Sequence, residues 1–276
     1  MQDLSFSRSR ERAAAIDEAI DEALARGVLY RAVTMGLRPP AEDDERSPLP
    51  PGVRDALREA ARVVEARWPQ GDPLLAAVEA LRAMTVSPAE RRSAHSRLFG
   101  HSRGLVCPFE TEYGPEGAFR QPQELADIAG YYLAFGLRPA EAQDERVDHA
   151  ACECEFMGFL ARKEAFALEA LRLLPDEPEP EGRLDTIQGA ARAFLREHLG
   201  RFGRAFASLL MKEDADGFHG ALGAVLFRFL AKEGHRFGLP AGPATLALRA
   251  PVPDDTPMAC GRPEGELIQI QRRPRP

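Results

Sequence analysis

Tryptophan occurs once and cysteine four times in 276 residues, and no apolar run approaches the roughly 20 residues needed to cross a bilayer as a helix. Cys107, Cys152, Cys154 and Cys260 are too few and too unevenly spaced for the disulfide framework of a small secreted domain, so free thiols are expected. Runs of β-branched residues are nearly missing, which excludes a fold built on sheets. Neither a Gly-x-x-x-x-Gly-Lys-Ser/Thr loop nor a Gly-x-Gly-x-x-Gly turn occurs, so neither nucleotide-binding motif is available. An excess of basic residues is also lacking. The formal net charge of −7 argues against general nucleic-acid binding and favours basic partners. Near the N-terminus Asp17, Glu18, Asp21 and Glu22 interrupt the apolar stretch that an export signal requires. A cytoplasmic protein without membrane insertion is therefore expected.

What is present is ordinary for a folded domain. Hydrophobic residues make up 44% and charged residues 29%, a balance that supports one large core. Alanine, leucine, arginine and glutamate dominate, and apolar residues recur three or four apart. The prediction is an all-α, single-domain helical bundle with long loops over residues 1–238, followed by a loosely ordered, irregular C-terminal extension over 239–276. Helices are predicted over 8–36, 53–68, from Pro73 onward, from Pro88 to Phe99, over 122–137, over 144–173, and as two or three segments between Leu184 and Phe237. Ser87-Pro88-Ala89-Glu90 carries the pattern of a capping box. LLPDEPEPEGR, 173–183, reads as a linker or surface loop, and ELIQIQ in the extension as one short strand. GFHGALG, 217–223, spaces its glycines three apart on a predicted helix, a pattern for close helix packing.

The stretch DERVDHAACECEFMGFLARKEA, 144–165, is unusual. At about 100° per residue, His149, Glu153, Phe156 and Leu160 form one stripe and Ala150, Cys154, Met157 and Ala161 another, so apolar groups nearly surround a helix that also carries ionisable ones. Such a helix is central to a bundle, and its buried charges require partners. Asp144, Glu145 and Asp148 suit a helix N-terminus. His149, Cys152 and Cys154 with Glu153 offer metal-type side chains, but the two cysteines lie about 200° apart on a helix and cannot face one ion; no metal and no cofactor is expected. GHSRG, 100–104, matches the Gly-x-Ser-x-Gly pattern of a hydrolase, but a helix precedes it where the nucleophile elbow needs a strand, so Ser102 and His101 read as loop residues.

Glu145-Arg146-Val147-Asp148-His149, followed after three residues by Glu153-Cys154-Glu155-Phe156-Met157, resembles the Asp-His and Glu-x-x-Phe-Met signature of the TorD/DmsD/NarJ-type maturation chaperones for molybdenum-cofactor enzymes. Val147 stands where that family usually has proline. RLFGHSRGLVCPFETEYG, 97–114, is similar to the family's Arg-Leu-Phe helix end, glycine loop and Pro-aromatic-Glu segment, with Thr111 for serine and Tyr113 one position early. YYLAFGL, 131–137, resembles its aromatic helix. The resemblance implies an all-helical, non-enzymatic protein that binds the apo catalytic subunit of a molybdoenzyme or its N-terminal twin-arginine signal peptide and assists cofactor insertion. It implies a client-binding patch of Glu110, Tyr113, Tyr131, Glu145, Asp148, His149, Glu153 and Phe156. In that patch Glu110, Glu112, Glu145 and Asp148 are expected as an exposed acidic rim for arginines. Tyr132 and Phe156 also suit simple core packing. Replacing Asp148 and His149 by alanine is expected to leave the helical circular dichroism near wild type. The alternative is a helical partner-binding or regulatory module with no part in cofactor insertion.

Overall fold

Alternation of good helix formers with proline and glycine punctuation produces nine α-helices among the described residues. The structure is a computed structural model that describes residues 2–40, 49–100, 104–115, 120–138, 146–174 and 177–249, with side chains from Arg10 onward. The helices are α1 (Gln2–Leu37), α2 (Pro51–Arg67), α3 (Leu74–Ala83), α4 (Pro88–Phe99), α5 (Gln121–Ala134), α6 (Ala150–Leu173), α7 (Pro178–Glu197), α8 (Leu199–Glu213) and α9 (Phe218–Phe237). A 3₁₀ turn, Glu110–Glu112, lies between α4 and α5. Extended pairing among these residues is limited to isolated bridges, Phe109 with His149 and Tyr113 with Leu248.

Local chemistry sets the helix ends. Ser87 accepts from the Glu90 backbone N–H while the Glu90 carboxylate accepts from the Ser87 N–H, completing the capping box that starts α4. Pro73 caps α3 and does not enter it. The first free N–H groups of α3, on Leu74 and Leu75, donate to the Glu65 carboxylate of α2 at 3.1 and 2.9 Å. Helix α7 starts inside the stretch expected to be a linker. Pro178 at its first turn and Glu179 and Glu181 beside it suit a helix N-terminus, so the prolines begin the helix. Helix α6 begins at Ala150, six residues later than predicted, because His149 is its N-cap.

Helix α6 is the centre of the bundle. Its long interface with α1 is extended by α7 and α8 on other sides, and α2, α3 and α9 close the layer around α1. Tyr30, Phe194, Phe202, Phe206 and Phe229 are fully buried in the resulting core. Charges inside that core are paired. Arg26 and Arg236 each donate to Glu164 at 2.6 Å, and the Tyr30 hydroxyl donates to Glu233 at 2.9 Å. Helices α8 and α9 approach closely through glycine: a Cβ on Gly223 would lie 2.8 Å from both the Ala207 carbonyl oxygen and Leu210 Cβ. This is the close packing expected for GFHGALG.

The segment after α9 divides. Gly238, at φ +62°, ends the helix, and the Leu239 N–H turns back onto the Gly234 carbonyl at 2.8 Å. Residues 239–249 then lie against the bundle. Arg204 donates to the Gly242 carbonyl at 2.8 Å, the Gly114 N–H to Ala247 at 2.9 Å, and the Arg249 N–H to Glu112 at 2.7 Å. Arg249 also pairs with Glu124 at 2.6 Å. Packing thus replaces the loose tail expected over these residues; ELIQIQ and Cys260 lie outside the described residues.

Candidate functional site

The start of α6 is held by the chain that follows α4. Gly104 turns back onto Gly100, and Val106 onto Leu98, with N–H to carbonyl distances of 2.8 and 2.9 Å. Residues Pro108 to Tyr113 can then run past the α6 N-terminus. The Glu110 N–H donates to the Asp148 carbonyl at 2.9 Å, and the Ala150 N–H donates to Pro108 at 2.8 Å. Ala150 would otherwise have an unpaired helix N-terminal donor. The next donor, the Ala151 N–H, is taken by His149 Nδ1 at 3.0 Å. His149 therefore caps its own helix with a neutral ring. Burial pushes its pKa down to about 4 and outweighs the nearby Asp148 charge.

Asp148 is the anchor of this turn. Its Oδ2 accepts from the Thr111 N–H at 3.1 Å, from the Thr111 hydroxyl at 2.7 Å and from Arg146 Nη2 at 2.9 Å, while Oδ1 accepts from Arg146 Nε at 3.0 Å. Threonine at 111 supplies the hydroxyl that serine would supply. Arg146 reaches further, to Glu112 at 3.0 Å, and its guanidinium lies 4.3 Å above the Phe109 ring. Tyr113 is fully buried, and its hydroxyl closes the loop by donating to the Cys107 carbonyl at 2.7 Å.

A second buried polar group lies behind the first. Glu110 receives His198 Nδ1 at 3.1 Å on one oxygen and Arg201 Nε at 3.1 Å on the other. Glu153, one turn into α6, lies against Glu110 with no cation of its own. Burial first, then the Glu110 charge, pushes its pKa well above the ordinary carboxyl range, which favours the neutral acid beside Glu110, and neither Glu153 oxygen has a hydrogen-bond partner among the described residues. The question of what meets the charges of this helix has an internal answer: Asp148 meets Arg146 and Thr111, His149 meets its own backbone, and Glu153 meets Glu110.

The exposed acidic rim is therefore corrected. Glu110 is 1% exposed and Asp148 is 0% exposed, each engaged within the molecule, while Glu112 is half-buried. A carboxylate at the tip of a central helix is tolerated only with such partners, and those partners cover it. Phe156 is buried too, in a cluster with Tyr132 and Phe194 at ring separations of 4.9 and 4.8 Å. Tyr131 is half-buried, with its hydroxyl donating to Glu197 at 2.8 Å; burial and that carboxylate push its pKa up to about 12. Glu145 lies outside the described residues, as do His101 and Ser102. The accessible groups of this face are Arg146, Glu112, Phe109 and Tyr131. Cys107 and the buried Cys154 have pKa values raised chiefly by burial, which keeps them as unreactive thiols.

Three contributors were invisible in the sequence: His198 and Arg201, which hold Glu110, and Asp127, whose Oδ2 lies 3.3 Å from His198 Nε2. They come from α5 and the α7–α8 junction, and the REHLGR stretch carrying His198 and Arg201 has no motif to mark it. Their only trace is that a buried Glu110 needs partners from somewhere.

A family model described as nitrate reductase delta subunit matches residues 49–208. The chain belongs to that family. Its members are chaperones for the maturation of molybdoenzymes, and the match covers α2 to α7 and most of α8. The delta-subunit match therefore contains the whole Asp148 turn and the Glu110–His198 pair, while α1 and α9 complete the bundle from outside it. No curated protein matches the chain. No helix among the described residues is long and apolar enough to cross a membrane.

Proposed function

We propose that this protein is a cytoplasmic chaperone without catalytic activity that holds the apo catalytic subunit of a molybdenum-cofactor oxidoreductase during cofactor insertion, recognising a basic segment such as an N-terminal twin-arginine signal. The observation that carries the reading is Arg146. It sits on the Asp148 and Glu112 carboxylates over an aromatic ring, yet its side chain is 35% exposed. The face is built to accept a guanidinium and is filled by the chain's own. A client arginine would exchange with Arg146 on Glu112, with Tyr131 and the edge of His149 contacting the neighbouring side chains. The buried Glu110, Tyr113, Glu153 and Phe156 shape this face from beneath.

Affinity capture from the native cytoplasm, with mass spectrometry of the partner and molybdenum analysis of the complex, tests the reading. Enrichment of one molybdoenzyme catalytic subunit lacking cofactor is expected, and Glu112→Lys should reduce its recovery about tenfold, as loss of a charge-assisted pair implies. Capture of only fully loaded enzyme, or of no such subunit, would replace the chaperone by a regulatory module.

A further inference from the structure

Where α5 passes the break between α7 and α8, three potential ligands converge. Asp127 comes from α5, Glu197 ends α7, and His198 stands between the two helices with φ −124° and ψ −97°. One ligand atom from each lies within 4.8 Å of the others. Carboxylates alone would mean little at a surface. His198 changes the argument, because its ring is buried and only one of its nitrogens is hydrogen-bonded.

His198 is 4% exposed. Its Nδ1 faces Glu110 Oε2 at 3.1 Å, and an ionised carboxylate can only accept, so Nδ1 carries the proton. In the neutral ring Nε2 is then a lone pair. It makes no hydrogen bond, although Asp127 Oδ2 lies 3.3 Å away. Two acceptors in that arrangement repel unless a proton or a metal cation lies between them. A buried carboxylate that fixes the far nitrogen of an imidazole is also the usual support of a metal-ligating histidine.

We propose that Asp127, Glu197 and His198 Nε2 bind one divalent transition-metal ion of the zinc class, with Glu110 as the group that orients the imidazole. One nitrogen and two carboxylate oxygens, with a further position left to solvent, suit zinc; magnesium and calcium prefer all-oxygen surroundings. Asp127, with a side chain 62% exposed, opens the route from solvent. The second carboxylate is already positioned, because Tyr131 donates to Glu197 Oε2 at 2.8 Å. Arg196 is bonded to Glu197 Oε1 and is itself half in solvent, so it can yield that oxygen. The bound ion ties α5 to the α7–α8 junction directly above the Glu110–Glu153 pair.

The test uses the full chain, stripped with a chelator and titrated with zinc chloride by calorimetry, and with cobalt(II) by visible absorption. One site per chain is expected. Asp127→Asn and Glu197→Gln should each weaken it about 10- to 100-fold, the range for altering one group of a metal site, with unchanged circular dichroism, since both side chains lie at the surface. The cobalt spectrum should lack thiolate charge-transfer bands, and binding should survive Cys107→Ser and Cys260→Ser together. Undetectable zinc binding, binding indifferent to both carboxylate substitutions, or a thiolate signature would overturn the proposal and leave His198 as an imidazolium paired with Asp127. Client capture is tested at Glu112, which is not a ligand of this site, so the failure of either proposal is read separately.

Discussion

Arg146 grips Asp148 with two nitrogens, Nε at 3.0 Å and Nη2 at 2.9 Å, while Thr111 binds the same carboxylate from the other side through its N–H and hydroxyl. The turn before α6 is thus built on one buried carboxylate. Asp148→Ala strands the Thr111 N–H and hydroxyl, at about 1–3 kcal/mol for each buried donor left unpaired. The expected loss in a denaturant titration is about 2–5 kcal/mol, with Asp148→Asn less severe. The sequence-based expectation concerns the helical circular dichroism of the Asp148 and His149 alanine variant, and the denaturant titration adds the stability of the turn to it. A midpoint equal to wild type would show that the turn is held by other contacts.

Glu153 behaves in the opposite sense. Its folded-state pKa lies above the unfolded value near 4.5, so its contribution is fully present below that pH and is lost as pH rises toward the folded value. Glu153→Gln keeps the shape beside Glu110 but has nothing to titrate. Near pH 4.5 the variant and wild type should be similarly stable, and at pH 8 the variant should be the more stable. Equal stability at both pH values would mean that Glu153 is ionised and solvated.

His149 and His219 make the protein sensitive to acid. Burial lowers both to about 4 from an ordinary 6.5. The unfolded chain then binds protons first, so their stabilisation is complete above pH 6.5 and is lost as pH falls toward 4. Each shift corresponds to about 3 kcal/mol when fully developed. Unfolding midpoints measured between pH 7 and 4.5 should fall steadily. The two imidazole resonances should not titrate between pH 7 and 5 while the protein is folded. Ordinary titration of either ring near 6.5 would contradict its burial as a neutral group.

Gly223→Ala tests the α8–α9 contact. The added methyl meets the Ala207 carbonyl oxygen and Leu210 Cβ at 2.8 Å, and backbone oxygen cannot rotate aside. A loss of about 1–3 kcal/mol is expected in thermal or denaturant unfolding, the usual range for an overpacked core. Gly189→Ala, with open space at its Cβ, is the control and should not destabilise.

The helices were legible because apolar spacing and caps are local properties: Ser87 and Glu90 are three residues apart and cap α4 as read. The Asp148–His149–Glu153 stretch was also legible as a place where burial and charge conflict. Its resolution was not. The hydrogen-bond partner of Asp148 is 37 residues away at Thr111, and that of Glu110 is 88 residues away at His198. Periodicity assigns a residue to a face without naming what covers the face, so groups that needed partners were read as a rim. The start of α7 failed for a different reason. Proline and glutamate favour both a surface loop and a helix's first turn, and only packing of the following Ile187, Ala191 and Phe194 decides between them.

Tyr30 touches Phe229 edge-on at 4.6 Å and donates to Glu233, 203 residues further along the chain. A polypeptide is synthesised from its N-terminus, so α1 exists before either residue, and before α6, its main neighbour. The part of its apolar face that meets α6 and α9 waits through more than half of translation with only α2 beside it, and long sequence separation of this kind also slows folding once the chain is whole. A member of a family that serves other proteins' assembly thus passes through a stage, at every synthesis, in which its own first helix lacks its main partner.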